Sequence, residues 1–581
     1  MISSAQQLDA LVRDGVLSPF DRQFAASMVR LAGETRPELE LATALTSRAV
    51  ARGHVCLSLR SIPEIVGHHL AESGPIDWPG MLSDSPMVTT RWQPHGSQPL
   101  VFAAPDRLYL ARYFDHETAV AHALRRRAQA RPPAADAEAL ASGLAVLFPD
   151  GQRDASRRAA ELACTRRLLI LAGGPGTGKT TTVVRLLATM MQASSPRPRS
   201  VALLAPTGKA VARLEAAVRA GEHRLHTEGL PSRALPLRSA TIHRALGPRG
   251  DLALDFRHNR ENPLPDDVVI VDEASMIDLA LTRRLLDAVA DDTTLVMLGD
   301  ADQLASVEAG AVFGDICAAG RQLVGRTGTV GDCFTELTHS HRFDPSSGIG
   351  ALAAAIRRGD PEAAMVVLAD GDSDAVLWHP SSGPGLPRSL VEQASENYRA
   401  SSSAQALRQL DAFRVLAPLR GGPRGVDAIN AAIQRHLGPQ PAGHPILVTR
   451  NDVTLGLFNG DIGVETEEDS RRVVYFPAAQ VGQAPRRIAA SRLPAYEPVF
   501  AMTVHKSQGS EFDDVAIVLP QEDTPLLTRE LLYTAVTRAR RRVTVVGTAA
   551  TIAASIGRTV SRATGLRDRL LDATRPGPSP G

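Results

Sequence analysis

The 581 residues predict an α/β protein with two tandem modules of parallel sheet, and three observations carry that prediction. Short aliphatic runs alternate with helical stretches from about residue 165 onward, as βα units do. A glycine-rich loop ending in Lys-Thr sits directly between one such run and a helix. The same alternation starts again in the second half of the chain, whose length exceeds what one hydrophobic core organises.

Composition narrows the class. A hydrophobic fraction of 44% with 22% charged residues belongs to a soluble globular protein, not a disordered or fibrous one. The net charge of +1 leaves polyanion binding to a local basic groove, since the field at a surface patch matters more than the chain total. Cys56, Cys164, Cys317 and Cys333 are too few and scattered for a disulfide framework, and no Cys-x-x-Cys pair points to zinc or an iron–sulfur cluster. MISSAQQLDALVRDGVL lacks the basic and apolar regions of a secretory signal, and no apolar run approaches spanning length. A cytoplasmic protein without membrane contact is expected.

Residues 1–130 read as a mostly helical N-terminal domain, with apolar spacing at Leu8, Leu11 and Val12 and helical recurrence through LYLARYFDHETAVAHAL. RRRAQARPPAAD, with consecutive Pro132 and Pro133, reads as a linker. The first module, 131–345, rests on the runs LLILAG, VALLAP, VVIVDE and TLVMLGD. The second, 346–575, rests on FRVLAPL, VFAMTVH, VAIVLP and RVTVVG. Residues about 440–497 break the rhythm with little helix and a turn signal in NGDIGV, so a small β insertion is expected there. Residues 576–581 read as a flexible tail.

Only three of the 64 basic residues are lysine: Lys179, Lys209 and Lys506. Arg is a planar fork and Lys a compact ammonium on a flexible stem, so the three survivors are either an accident of the Arg bias or, if all fall in phosphate-handling motifs, positions that need a point charge. Lys179 ends the glycine-rich loop formed by Gly173, Gly174, Pro175, Gly176, Thr177 and Gly178, and is followed by Thr180 and Thr181. Such a loop turns its N–H groups toward phosphate oxygens, threads the lysine to the β- and γ-phosphates of a nucleotide and offers Thr180 to Mg²⁺. VVIVDEAS ends a strand in Asp272, placed to hold Mg²⁺, and Glu273, placed to orient a water for in-line attack. A positioned base specifies hydrolysis, which a simple binder does not need. Gln303, in LGDADQLASVEAG, is placed to sense the γ-phosphate. Arg342, in LTHSHRF, and Arg538, in LLYTAVTRARRR, are candidates to stabilise the transferring phosphoryl group across a domain cleft.

GGPGTGKT, LLAPTGKAVARL, ATIHRALG, VVIVDEAS, LGDADQLASVEAG, LTHSHRF, FAMTVHKSQGSEF and LYTAVTRAR occur in this order over roughly residues 145–550. Together they resemble the motifs of superfamily 1 helicases of the 5′-to-3′ branch. HVCLSL and LYLARYFDHE are similar to the RecD family, the α subunits of exodeoxyribonuclease V. The resemblance implies two RecA-like domains with ATP between them, an SH3-like insertion, and single-stranded DNA running across both domains. It implies DNA contacts by Pro206, Thr207, Lys209, Thr241, His243, Thr503, His505 and Lys506, although a buried histidine beside a helix start is an alternative reading of His243. It implies nucleotide coupling through Gln508, Gly509 and Glu511, and adenine reading by Gln152. It further implies action on DNA ends in recombination and double-strand break repair, within a heterotrimer whose two larger helicase-nuclease subunits dock on residues 1–130. No acidic nuclease constellation stands in the chain, so nuclease activity is expected in a partner. An RNA helicase, a DNA-dependent ATPase switch that does not unwind, and a stand-alone RecD-like helicase remain as alternatives.

Overall fold

The computed structural model describes residues 4–67, 76–91, 93, 96–149, 155–194, 198–230, 236–249, 255–340, 347–370, 374–381, 383, 385–398, 402–438, 443–452, 454–478 and 484–572. Two all-parallel sheets organise it. The first runs, in spatial order, Phe334–Leu337, Leu168–Gly173, Thr294–Gly299, Val268–Val271, Val201–Ala205 and Leu237–Thr241. Its four central strands are buried at every residue, which is why they read as unbroken aliphatic runs: helices cover both faces of the sheet. The edge strands, FTEL and LRSAT, carry polar residues and gave no such signal.

The second sheet runs Val376–His379, Ala539–Val546, Phe512–Val518, Phe413–Ala417 and Ala501–Thr503, again parallel throughout. The expected β insertion is a separate five-stranded antiparallel sheet spanning His444–Val448 to Tyr496–Pro498. The NGDIGV turn forms its hairpin, with Gly460 at φ 98 and the following strand Ile462–Glu468 returning on His444–Val448.

Packing divides the chain differently from the boundary expected at residue 130. The N-terminal residues build a core of their own from helices and a short four-stranded sheet. LYL, expected to be helical, lies in that sheet as Arg107–Leu110, with Leu108 and Tyr109 buried; the helix begins only at Ala111. This helix, Ala111–Gln129, shares one continuous apolar cluster with the first module's strands, through Val120, Ala121 and Leu124. RRRAQ is therefore the end of a packed helix, and only the irregular segment 130–136, with Pro132 and Pro133, remains of the expected linker. Arg127, 1% exposed, donates to the carbonyls of Thr293, Val289 and Ala290 at 3.1, 2.5 and 2.9 Å. Val289 and Ala290 follow the helix Leu279–Ala288, so a guanidinium satisfies carbonyls where that helix ends. The C-terminal helix Leu566–Leu571 also returns to the first module, with Leu566 and Leu570 in the same cluster. Residues 576–581 lie outside the described residues.

Candidate active site

Parallel strands in register bring their carboxyl ends to one edge, where open α/β sheets hold ligands. At that edge of the first sheet stand the glycine-rich loop after Gly173, Asp300 to Gln303 after Gly299, Asp272 and Glu273 after Val271, and Thr207 to Lys209 after Ala205. They open into a cavity of about 700 Å³ lined by the whole loop 174–182, Asp272, Glu273 and Gln303, and on the far side by Glu511 and Arg538 of the second module.

The loop has the geometry its glycines allow. Gly176 and Gly178 adopt φ of 75 and 84, and the helix Lys179–Ala193 starts directly after them. The Lys179 ammonium donates to the carbonyls of Gly173 and Gly174 at 2.6 and 3.0 Å, so it is already folded over the loop. Glu273 sits in the left-handed region at φ 53 and donates its N–H to Asp272 Oδ1 at 2.8 Å. Backbone strain of this kind concentrates at functional sites. Burial, then the Glu273 carboxylate, raises the Asp272 carboxyl above the usual range against the pull of Lys179. Two adjacent acids beside the Thr180 hydroxyl form an all-oxygen donor set, and a cation there would relieve the cost of keeping Asp272 ionised. Among the described residues no group of three His, Cys, Asp or Glu side chains could hold a metal ion.

The second module is bonded into this cavity. Arg538, 3% exposed, donates from Nη2 to Gln303 Oε1 at 2.8 Å, from Nε to the Thr534 carbonyl at 3.0 Å and from Nη1 to the Ser510 carbonyl at 3.2 Å. Gln303 in turn donates to Asp300 Oδ2 at 2.8 Å. The Gln508 amide donates to the Leu304 carbonyl at 3.0 Å, and the Leu304 N–H donates to the Thr534 hydroxyl at 2.9 Å. Glu511 pairs with Arg213 of the first module at 2.6 Å. Gly509, at φ 71, lies against the Thr207–Ala210 turn, where an added Cβ would stand 3.5 Å from both Ala210 Cβ and Thr207 Oγ1. Gln303, Arg538, Gly509 and Glu511 are thus brought together, while Gln152 and Arg342 lie outside the described residues.

The candidate DNA residues form a more open surface. Thr207 caps the helix Gly208–Thr227, and Thr241 caps Ile242–Leu246, each hydroxyl accepting from a backbone N–H at 3.3 Å. Pro206 is half-buried beside that first cap. His243 is exposed, 6.3 Å from the Phe256 ring centroid, so the buried-histidine alternative falls. Lys209 pairs with Asp411 at 3.4 Å and lies over the Phe512 ring. The Thr503 hydroxyl accepts from the Lys506 N–H at 3.3 Å, and the Lys506 ammonium pairs with Glu497 at 2.5 Å. Burial, then the charge of Arg562, lowers the basicity of half-buried His505.

Sequence reasoning missed Asp300, Arg213 and Tyr533. Asp300 had a usable signal, because TLVMLGD ends a strand in an acid as VVIVDE does. Arg213, one helical turn after Lys209, had only that spacing. Tyr533 packs against the glycine-rich loop, where a Cβ on Gly174 would meet its hydroxyl at 3.0 Å, and nothing local in the sequence marks it.

Comparison with known proteins shows the family of the chain. Residues 13–109 match the N-terminal domain of the RecBCD enzyme subunit RecD, 156–309 an AAA domain, and 498–546 a UvrD-like helicase C-terminal domain. The chain is 43% identical to the RecBCD enzyme subunit RecD of Mycolicibacterium smegmatis, over 96% of this chain and 98% of that one. It is 41% identical to the subunit of the same name from Mycobacterium tuberculosis strain CDC 1551, over 98% and 97%. With the ATP-dependent RecD2 DNA helicase of Deinococcus radiodurans it shares 32% identity, over 66% of this chain but only 47% of that protein. The chain belongs to the RecD family of RecBCD enzyme subunits.

Proposed function

We propose that this chain is an ATP-dependent 5′-to-3′ DNA helicase and translocase, the motor subunit of an exodeoxyribonuclease V-type complex that acts on DNA ends in recombination and double-strand break repair. The observation that carries the reading is the Gln303–Arg538 bond inside the cavity, because it places a buried guanidinium of one module against a residue beside the phosphate loop of the other. ATP binds between the modules, with Lys179 and the loop amides on its phosphates. Glu273 orients the attacking water and accepts its proton, while Arg538 stabilises the charge on the transferring phosphoryl group. Thr180 and Asp272 would hold Mg²⁺, which supplies charge neutralisation at the phosphate oxygens.

Hydrolysis then acts on DNA through Gln508, Gly509 and Glu511, which link the cavity to the Thr503–Lys506 turn. Opening and closing of the cleft moves one module along the strand, against about 1.4 kcal/mol of stacking per base-pair step. Strand displacement on tailed duplexes tests the reading. Unwinding should require a 5′ single-stranded tail, and equal activity on 3′ tails would overturn the polarity. DNA-stimulated hydrolysis without displacement would leave an ATPase switch.

Identity of 43% over 96% of this chain with a RecBCD subunit, against 32% over 66% with the RecD2 helicase, supports a complex subunit over the stand-alone alternative. The heterotrimer docks on the N-terminal domain, whose helix Pro19–Ala32 exposes Phe20 at 71% and Leu31 at 75%. Replacing both with serine should eliminate co-purification with two larger subunits and leave ATPase unchanged; retained partners would place docking elsewhere. Substitution tests docking more cleanly than deleting residues 1–130 would, because deletion strips Arg127 and Leu124 from the motor's core.

A further inference from the structure

After its last sheet strand and the helix Ala549–Gly557, the chain crosses back from the second module to the first. The Val55 N–H donates to the Ala563 carbonyl at 2.9 Å, and the Ala563 N–H donates to His54 Nδ1 at 2.9 Å. Buried Glu117 receives the Thr564 hydroxyl, the Gly565 N–H and Arg569 Nε at 2.9, 2.8 and 2.9 Å. This strap delivers one more side chain, Arg562, to the turn that follows Gln303. Its guanidinium donates to the carbonyls of Ser306, Glu308 and Gly310 at 2.5, 2.7 and 2.7 Å.

Three carbonyls within five residues converge on one planar fork, an arrangement that a guanidinium matches and an ammonium does not. Gly53 makes room for it: a Cβ there would lie 3.0 Å from Arg562 Cζ, and the Gly53 carbonyl accepts the Gly310 N–H at 3.0 Å. The Ser306 hydroxyl closes the same turn on the Glu308 and Gly310 carbonyls at 3.1 and 3.0 Å. Arg562 does not line the nucleotide cavity. What it holds is the continuation of Gln303 and Leu304, the two residues bonded to Arg538, Gln508 and Thr534 across the cleft.

We propose that Arg562 is a positioning residue for ATP hydrolysis: by fastening the Ser306–Gly310 turn from the far end of the chain, it keeps Gln303, and through it Arg538, in hydrolytic register. The inference rests on the ATPase reading above. The strap thereby makes the N-terminal domain, the first module and the end of the second module one connected frame around the sensing loop.

The test uses the full chain with single-stranded DNA, comparing Arg562→Ala and Arg562→Lys with the parent. Loss of register should lower kcat for ATP by about 10- to 100-fold. KM for ATP should stay within about twofold, since the phosphate loop is untouched. Arg562→Lys keeps the charge without the fork and should stay close to Arg562→Ala, and amide exchange across residues 304–310 should quicken in both. Parent-like kcat in either folded variant overturns the proposal. So does full rescue by lysine, or a kcat loss that only follows a fall in melting temperature with KM rising alongside. If Arg562→Ala does not fold, the lysine variant decides alone. A parent chain without ATPase removes the underlying reading; an active parent with indifferent variants removes only this one.

Discussion

The nucleotide cavity and the surface carrying Lys209 and Lys506 adjoin each other, yet they are built by opposite rules. In the cavity the Arg538–Gln303 bond between the modules is buried, and Arg538 spends three donors on fixed acceptors. On the open surface the two lysines meet carboxylates that solvent reaches, Lys209 with exposed Asp411 and Lys506 with half-buried Glu497. Buried polar networks specify one geometry, because each unpaired member is costly. Exposed ion pairs contribute about 0–1 kcal/mol and exchange readily for another anion. The ATP geometry is therefore wired in advance, whereas DNA would bind by replacing weak internal partners.

The comparison breaks most sharply at Arg538. Arg538→Ala removes charge stabilisation and leaves the Gln303 amide oxygen without its donor, so DNA-stimulated kcat should fall by about 10³-fold or more. Steady-state hydrolysis assays read this directly, and a loss below tenfold would mean that the cleft is not wired through this side chain. Glu273→Gln comes next, with a fall of about 10²-fold in hydrolysis and ATP affinity retained. Nucleotide binding measured by fluorescence should separate the two steps; a variant that no longer binds ATP would deny Glu273 its role as base.

Both regions were partly legible in the sequence, for the same physical reasons that make them differ. The loop 173–181 and the acids at 272 and 273 are locally encoded: glycine spacing sets the backbone, and strands buried on both faces must be aliphatic throughout. What was illegible depends on partners far away in the chain. RRRAQ reads as a solvated linker until the carbonyls of Val289 and Ala290 receive Arg127. Arg562 is one of many arginines until the Ser306–Gly310 turn is folded against it. Rarity marked Lys209 and Lys506 as important, but nothing in the sequence announced that each has an internal carboxylate partner.

On the DNA side, Lys506→Ala should weaken single-stranded DNA binding uniformly across sequences and reduce the slope of log Kd against log salt by about 1, as loss of one phosphate contact requires. Anisotropy titrations at several salt concentrations measure both quantities. A change in sequence preference with an unchanged slope would mean that Lys506 reads bases and not the backbone.

The smallest effect has the most informative sign. Glu497 holds two cations at once, Lys506 at 2.5 Å and Arg420 at 2.9 Å, and so occupies the place an anionic oxygen of the DNA backbone would take. Glu497→Gln keeps the shape and removes the competing charge. With an exposed pair worth up to about 1 kcal/mol, DNA affinity should rise about two- to fivefold. The salt slope should stay where it is, because the number of phosphates neutralised does not change. Unchanged or weaker binding would show that Glu497 shapes the surface instead of competing for it, and the two regions would then follow one rule after all.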